Sequence, residues 1–504
     1  MNLATTKLVC SALRVFAISA AVLGGLTLAS GAQAAVHGIA GAAGTPVFNL
    51  TASAGTNSQP DGAVLYAWGY GCTSAPAPAA FRPANNSAAK CPLMQLPGPT
   101  MIVTEGDTVT VVLTNSLPKA AGKTSIVFPG MAVTASAVDN TLTGPKAGIL
   151  TTEAPVGGTV TYTFIAAKPG TYAYYSGTQP DVQIEMGLSG AIVVLPNAAS
   201  ALVAACSTTR LPYTDATWSL AKSAYGQPDT CYDREYLFQF SEMSSVIHEQ
   251  VKAQVDACSP STTVTCAPIA VVTEPYRPNY YLINGRSMPD IMDVAYSAAY
   301  PNQPYNGNPH MHPGELVLMR VIGQGHNQHP FHFHGNHARV LARDANMLQS
   351  QTSTKLAGPL LFTIPTVSGQ TVDAIFTWTG QGLNWDVYGS EPHTCNGLST
   401  PSPGFDSITH EYCPDHGKPI PATPPDPSIV VNGQWYGGTP YIGLQSANPT
   451  PEAPGTLNQN PQAGYAYMWH SHNEREITTN DVFPGGMLMM LLIDPSGWVI
   501  DERL

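Results

Sequence analysis

The chain has 504 residues, only 11% of them charged, a formal net charge of −12, and 46 glycines and 45 prolines. That length allows two or three domains, and the turn-rich, charge-poor composition suits an all-β protein. The acidic balance argues against nucleic acid or an anionic membrane surface as a partner.

Residues 1–34 read as an export signal. Lys7 and Arg14 flank the start, an apolar stretch runs from Val15 to Leu28, and Ala32-Gln33-Ala34 supplies a small-x-small cleavage site. The apolar run is too short for a membrane span. The expectation is cleavage before Ala35 and a mature chain, without a membrane span, in the periplasm or outside the cell; the alternative is an uncleaved N-terminal anchor. Cys10 leaves with the signal. Cys72, Cys91, Cys206, Cys231, Cys258, Cys266, Cys395 and Cys413 remain, an even set for which disulfides are the default in an oxidising compartment. Sequential pairing is the simplest connectivity, because every loop is then local. None of these cysteines has metal-ligand spacing.

Alternating apolar residues and turn signals continue along the chain. Thr100 to Thr104, Thr108 to Leu113, Thr159 to Ile165 and Ala191 to Leu195 read as strands of a first sandwich, residues 35–198. Residues 199–232 read as a cysteine-bearing linker. A second β region, residues 233–504, opens at Glu235 to Phe240. A helix is expected at Ser244 to Val255, then strands at Tyr280 to Arg286, Leu316 to Ile322 and Ala374 to Trp378. The Pro-, Gly- and Asn-rich stretch at about 380–464 reads as an insertion framing the site, pinned by Cys395 and Cys413.

Two histidine strings carry most of the chemical information. One is His329-Pro330-Phe331-His332-Phe333-His334-Gly335, and the other is His470-Ser471-His472. Residues two apart on a strand share a face, so His332 projects with His334 and His470 with His472. If the strands face one another, four imidazoles converge. Imidazole suits copper, zinc, iron or nickel better than magnesium or calcium. His310-Met311-His312 offers an accessory Cu(I) site or a polar turn. His326 and His337 flank the main string, and His337 reads as a hydrogen-bond partner of a ligand or a plain surface residue. His393, His410 and His416 cap the site or lie in an uninvolved insertion, and His248 reads as structural. The chain has no Gly-x-Ser-x-Gly elbow, P-loop or His-Glu-x-x-His.

The chain resembles the multicopper oxidases, which are built from cupredoxin-type sandwiches. Leu96-Pro97-Gly98-Pro99-Thr100, Glu105-Gly106-Asp107-Thr108-Val109, Pro169-Gly170-Thr171-Tyr172-Ala173-Tyr174, Gly187-Leu188-Ser189-Gly190, Leu282-Ile283-Asn284-Gly285-Arg286 and the two histidine strings carry the resemblance. It implies an all-β fold of tandem cupredoxin-like Greek-key β-sandwiches. An active member of the family holds three coppers on four histidine motifs and a type 1 copper on one cysteine and two histidines.

This chain departs from that pattern. Val127 and Pro129 stand at the first ligand pair, Tyr175 and Gly177 at the second, and no histidine lies between His37 and His248. Ser471 replaces the type 1 cysteine, and the second type 1 histidine falls near Glu476, or Glu474 in a shifted register. The resemblance therefore implies no blue copper centre and no four-electron oxygen reduction by the usual route. What it leaves is His332, His334, His470 and His472 around one or two copper ions. His329 and Glu476 form a harder nitrogen-and-oxygen site, more tolerant of manganese or iron, or else Glu476 stays solvated or pairs with a surface cation. Met487 is the ancestral axial ligand or core packing.

The functional expectation is an exported copper-binding protein acting as an atypical oxidoreductase on a small molecule or a metal ion. The alternatives are a copper-storage protein and a structural protein of the cell envelope. A homo-oligomer is compatible with each.

Overall fold

The computed structural model describes residues 36–83, 86–137, 150–197, 206, 223–258, 266–384, 386, 395, 397, 404–418, 465–494 and 500. The export segment, most of the expected linker and most of the expected insertion lie outside them. Among the described residues no helix is long and apolar enough to cross a membrane.

Among the described residues, four sheets form two sandwiches. In the first, the strand order is Val64–Cys72, Val47–Ser58, Thr108–Asn115, Thr159–Ile165, Thr134–Ala137. Facing it is the order Phe81–Arg82, Gly38–Ala40, Met101–Thr104, Ser189–Leu195, Gly170–Tyr175. Alternation does the packing: in Thr108–Asn115 every second residue, Val109, Val111 and Leu113, is fully buried between the sheets. The two longest strands of this sandwich, Val47–Ser58 and Val64–Cys72, were not among the expected ones. Val47–Ser58 is rich in Ala, Thr, Ser and Asn, and Val64–Cys72 is a run of apolar residues and glycines without polar alternation, so neither shows the apolar period of a half-buried strand. Gly69 and Gly71 are needed there, because a Cβ would meet Gln95 O at 2.2 Å and Pro92 O at 2.1 Å.

In the second sandwich a seven-stranded sheet contains Arg234–Met243, Leu316–Gly323 and Thr371–Thr377 at its centre. The facing sheet runs His310–Met311, Leu488–Ile493, Tyr465–Ser471, His329–Phe333, Thr363–Thr366. The core between them is aromatic, with Phe238, Phe331, Phe333, Phe376 and Trp469 in mutual ring contact. The expected helix is present at Ser245–Ala257, and its Ile247 and Val251 pack on the first sandwich. The disulfides are Cys72–Cys91, Cys206–Cys231, Cys258–Cys266 and Cys395–Cys413, the sequential set.

A buried polar seam joins the sandwiches. Thr171 of the first donates to Asp373 Oδ1 of the second at 2.6 Å, and Tyr225 donates to the other oxygen. Arg320 donates to Thr171 Oγ1 at 3.1 Å and to Glu235 at 2.8 Å. All but Tyr225 of these side chains are under 5% exposed, so each charge depends on these partners.

Candidate metal centre

Strand parity sorts the histidines before any distance is measured. On His329–Phe333, the odd-numbered His329, Phe331 and Phe333 face the core, and the even-numbered His332 and His334 face outward. On Tyr465–Ser471 the core side is Tyr467, Trp469 and Ser471, so His470 and His472 face outward as well.

The antiparallel pairing then sets His332 directly opposite His470. Ring centroids lie 4.8 Å apart for His332 and His334, 5.5 Å for His332 and His470, 4.8 Å for His332 and His472, and 5.2 Å for His334 and His470. Donor atoms of His332, His334 and His470 all lie within 4.8 Å of one another. The Nε2 atoms of His334 and His470 are 3.2 Å apart. Two imidazoles on one ion, at about 2.0–2.1 Å each, place their nitrogens about 2.9–3.4 Å apart, so this pair is spaced for a shared cation. The outward imidazoles expected from the sequence are brought together. His472 is the most exposed of them, with 56% of its side chain accessible.

The surroundings orient the rings. His332 Nδ1 is 2.9 Å from Thr363 Oγ1, and His470 Nδ1 donates to the Ser471 carbonyl at 2.7 Å. Their Nε2 atoms are thereby left to face the cluster. The Trp469 indole donates to the His334 carbonyl at 3.1 Å and fixes the strand end. His334 Nδ1 is buried with no partner. Burial, then the neighbouring imidazoles, pushes His332 down to about 4 and His334 down to about 3, and burial lowers His470. The rings are neutral at ordinary pH and need lose no proton to bind a cation.

His329 belongs to a different centre. It points into the core, where its Nε2 lies 2.8 Å from Glu242 and its Nδ1 lies 2.9 Å from Glu476. Burial works against its charge, but the two carboxylates outweigh that and raise it to about 9. Ser471 Oγ and Asn473 also donate to Glu476. It sits on the opposite face of its strand from His332 and His334, apart from their cluster, as the separate place expected for it requires. Glu476 stands beside His329 as the expected nitrogen-and-oxygen site requires, with Glu242 at the other ring nitrogen. The carboxylates engage opposite nitrogens of one ring and do not converge, so the space holds an imidazolium between two carboxylates. Glu476 is 3% exposed rather than solvated, because it is one of those two. Met487 is fully buried in the core and joins the pocket through its backbone: its N–H donates to the Glu476 carbonyl, and its carbonyl accepts from Ser471 N. Glu242, 87 residues from His329, carried no signal in the sequence.

The His310-Met311-His312 string does not form a shared site. Met311 points into the core while the two histidines point away from it. His310 pairs with Asp494 at 2.6 Å, and His312 sits 3.2 Å from Glu315 beside Arg234. His248 bonds to the carbonyls of Tyr66 and Glu185, a structural role. His337 stands edge-on to Phe362, and so does His332, which makes Phe362 a shared wall. His393 lies outside the described residues. His410 and His416 lie in a segment that packs on Gly314 and Thr379, not on the cluster.

In the first sandwich Val127, Tyr175 and Gly177 pack against one another. Val127 and Tyr175 exchange backbone hydrogen bonds at 2.8 and 3.2 Å. A Cβ on Gly177 would meet Val127 Cγ2 at 2.5 Å. Tyr174 is a core residue bonded to the Pro99 carbonyl, and the Tyr175 hydroxyl reaches toward Gly369 of the second sandwich. Among the described residues, the other convergent donor group is Cys395, Asp406 and Cys413, whose thiols are consumed by a disulfide.

Two multicopper oxidase family models match, one over residues 89–199 and the other over residues 273–381. No curated protein sequence matches the chain. Among solved structures, the chain is similar to the multicopper oxidase mgLAC, with 15% identity, a TM-score of 0.44, and 91% of this chain and 88% of that one covered. It is similar to a blue copper oxidase from Nitrosomonas europaea, with 16% identity, TM-score 0.44 and coverages of 89% and 85%. A copper nitrite reductase from the same organism matches with 18% identity, TM-score 0.38 and coverages of 66% and 85%.

Proposed function

The chain is a two-domain protein of the multicopper oxidase family, and we propose that it is an exported copper-binding protein whose working centre is the outward-facing histidine cluster of the second sandwich. The observation that carries this reading is the convergence of His332, His334 and His470, with two Nε2 atoms 3.2 Å apart on rings that stay neutral. Three imidazole donors, a fourth in His472 and an unpartnered nitrogen on His334 fit one copper ion, or two with open positions. Copper bound there supplies one-electron redox chemistry.

The chain's own residues do the rest. His332, His334 and His470 hold the ion. Thr363 and the Ser471 carbonyl fix which nitrogen each ring presents. Phe362 shields one side, and the exposure of His472 leaves the other open to a small electron donor. Ser471 has no thiolate to offer, and the space around it is taken by the Glu242–His329–Glu476 ion cluster, so the type 1 centre is gone. The reading is an oxidoreductase with a reduced, histidine-only centre. Four disulfides and the leader at residues 1–34 support an oxidising compartment outside the cytoplasm.

The test is copper loading followed by metal analysis and electron paramagnetic resonance. The expected result is at least one copper per chain, bound to nitrogen, without the intense visible band of a thiolate site, and lost in His332→Ala combined with His470→Ala. Substoichiometric copper that ignores that double substitution overturns the reading in favour of a structural protein. Oxidation of a phenol or of Mn(II) by the loaded protein separates an oxidoreductase from a storage protein.

A further inference from the structure

The strand parity that sends four imidazoles outward sends two thioethers with them. On Tyr465–Ser471, Met468 lies two residues before His470 and on the same face, outside the core that takes Tyr467 and Trp469. On Leu488–Ile493 the core side is Met489, Leu491 and Ile493, so Met490 faces outward as well. Both outward methionines are half-buried. Register then makes them a row with His334. Met468 stands directly opposite Met490. The Met468 carbonyl accepts from His334 N at 3.2 Å on one side, and the Met490 N–H donates to Met292 Sδ at 3.3 Å on the other. The main chains of Met468 and Met490 therefore point away from each other. That makes them a non-hydrogen-bonded pair, the kind in which antiparallel side chains come closest. Cβ atoms so opposed lie about 4.5–5.5 Å apart, a gap that two flexible thioether side chains close on one ion.

His334 supplies a second, independent observation. His470 Nδ1 donates to the Ser471 carbonyl, so His470 Nε2 carries a lone pair. That lone pair lies 3.2 Å from His334 Nε2. With no ion between them the two nitrogens need a hydrogen, and His334 supplies it from Nε2. Its Nδ1 is then a bare lone pair, and this is the buried atom that no protein group meets. We propose that Met468 Sδ, Met490 Sδ and His334 Nδ1 form a soft-metal subsite for Cu(I), next to the imidazole cluster and distinct from it.

The donor set fits that ion. Thioether sulfur selects Cu(I) over the harder Cu(II). The three donors carry no charge, which suits a monovalent ion in a half-buried place better than a dication. Met292 holds the free edge of the strand at Met490 and so fixes the outer end of the row. His334 links the two sites through its tautomer. With its hydrogen on Nε2 it serves the thioether row, and with its hydrogen on Nδ1 it serves the cluster. Copper passes between them without net gain or loss of a proton. The inference deepens the copper reading given above by naming the oxidation state in which the metal arrives.

The experiment titrates the full chain with Cu(I) alone under an oxygen-free reductant, and with Ag(I) in parallel. Competition with a colorimetric Cu(I) chelator measures binding, and X-ray absorption at the copper edge reads the ligands. The expected result is one Cu(I) with sulfur and nitrogen neighbours, in the wild type and also in His332→Ala combined with His470→Ala. Met468→Leu combined with Met490→Leu, which nearly conserves side-chain volume, should abolish the sulfur signal and the tight Cu(I) binding while Cu(II) stays on the imidazole cluster. Selenomethionine-labelled protein, which keeps every side chain in place, should show selenium at the copper instead of sulfur. A nitrogen-only shell in the wild type, or a sulfur signal that survives the double leucine substitution, overturns the subsite and leaves the cluster reading intact. A wild type that holds Cu(I) on sulfur but no Cu(II) on its imidazoles supports the subsite and overturns the cluster reading instead.

Discussion

Raising the pH should loosen the second sandwich through one residue, His329. In the fold this ring is held cationic by Glu242 and Glu476, with burial as the opposing effect, and its pKa stands at about 9. In the unfolded chain it returns to about 6.5. A group whose folded pKa is raised stabilises the fold below its unfolded value and loses that contribution as pH climbs through the folded value. Linkage over this gap gives about 3 kcal/mol at pH 6 to 7, falling below about 1 kcal/mol at pH 9. For a domain of this size that swing is worth about 5–10 °C in melting temperature. The assay is thermal or urea unfolding of the wild type and His329→Gln at pH 6.5 and 9.5, taking the difference between the two proteins at each pH so that other titrating groups cancel. The variant should lose its deficit relative to wild type as pH rises. A difference that stays constant across that window would refute the ion-cluster reading of this pocket.

Glu185 provides a companion test of opposite character. Burial raises it to about 8, with Glu242 adding to burial and hydrogen bonds from Tyr276 and Ser244 opposing it. Its ionisation therefore destabilises the fold progressively from about pH 4.5 to 8 and no further above. Glu185→Gln should flatten the stability profile in that window, measured by urea unfolding, and an unchanged slope counts against the assignment. Because His332 and His334 are held down to about 4 and about 3, chiefly by burial, copper retention should persist to about pH 4–5, well below the range in which free histidine is protonated. Copper released on dilution at stepped pH measures this, and half-release near pH 6.5 would contradict it. Thr171→Val strips Asp373 of a donor and Arg320 of an acceptor at the seam between sandwiches. The expected cost is about 1–3 kcal/mol per group left unsatisfied, read from urea midpoints, and a shift within error would mean that the seam does not hold the sandwiches together.

Much of the candidate site was legible because strand alternation is a local rule. Knowing only that His332 and His334 are two apart, as are His470 and His472, places each pair on one face. The expectation that the first sandwich lacks ligands came from the resemblance, which sets Val127, Pro129, Tyr175 and Gly177 at the ligand positions, and from the absence of histidine between His37 and His248. Sequential disulfide pairing was the simplest expectation, because each loop is then local, and it is the pairing the structure has. The strand Val47–Ser58 was missed because small and polar residues blur its apolar period, and Val64–Cys72 because its apolar and glycine run has no polar alternation. Their strand character comes from neighbours: Thr108–Asn115 beside one and the Pro92–Gln95 segment over the glycines of the other.

What the amino-acid order determined by itself is which nitrogens this protein owns and which side of each strand carries them. What only the tertiary structure decided is who meets whom. Register across two strands 136 residues apart sets His334 against His470. Packing of one sheet on the other delivers Glu242 to His329 and turns an expected ligand into a buried cation. Side-chain direction repeats every two residues and can be read locally, whereas strand pairing and sheet packing are long-range contacts selected by the fit of the whole core.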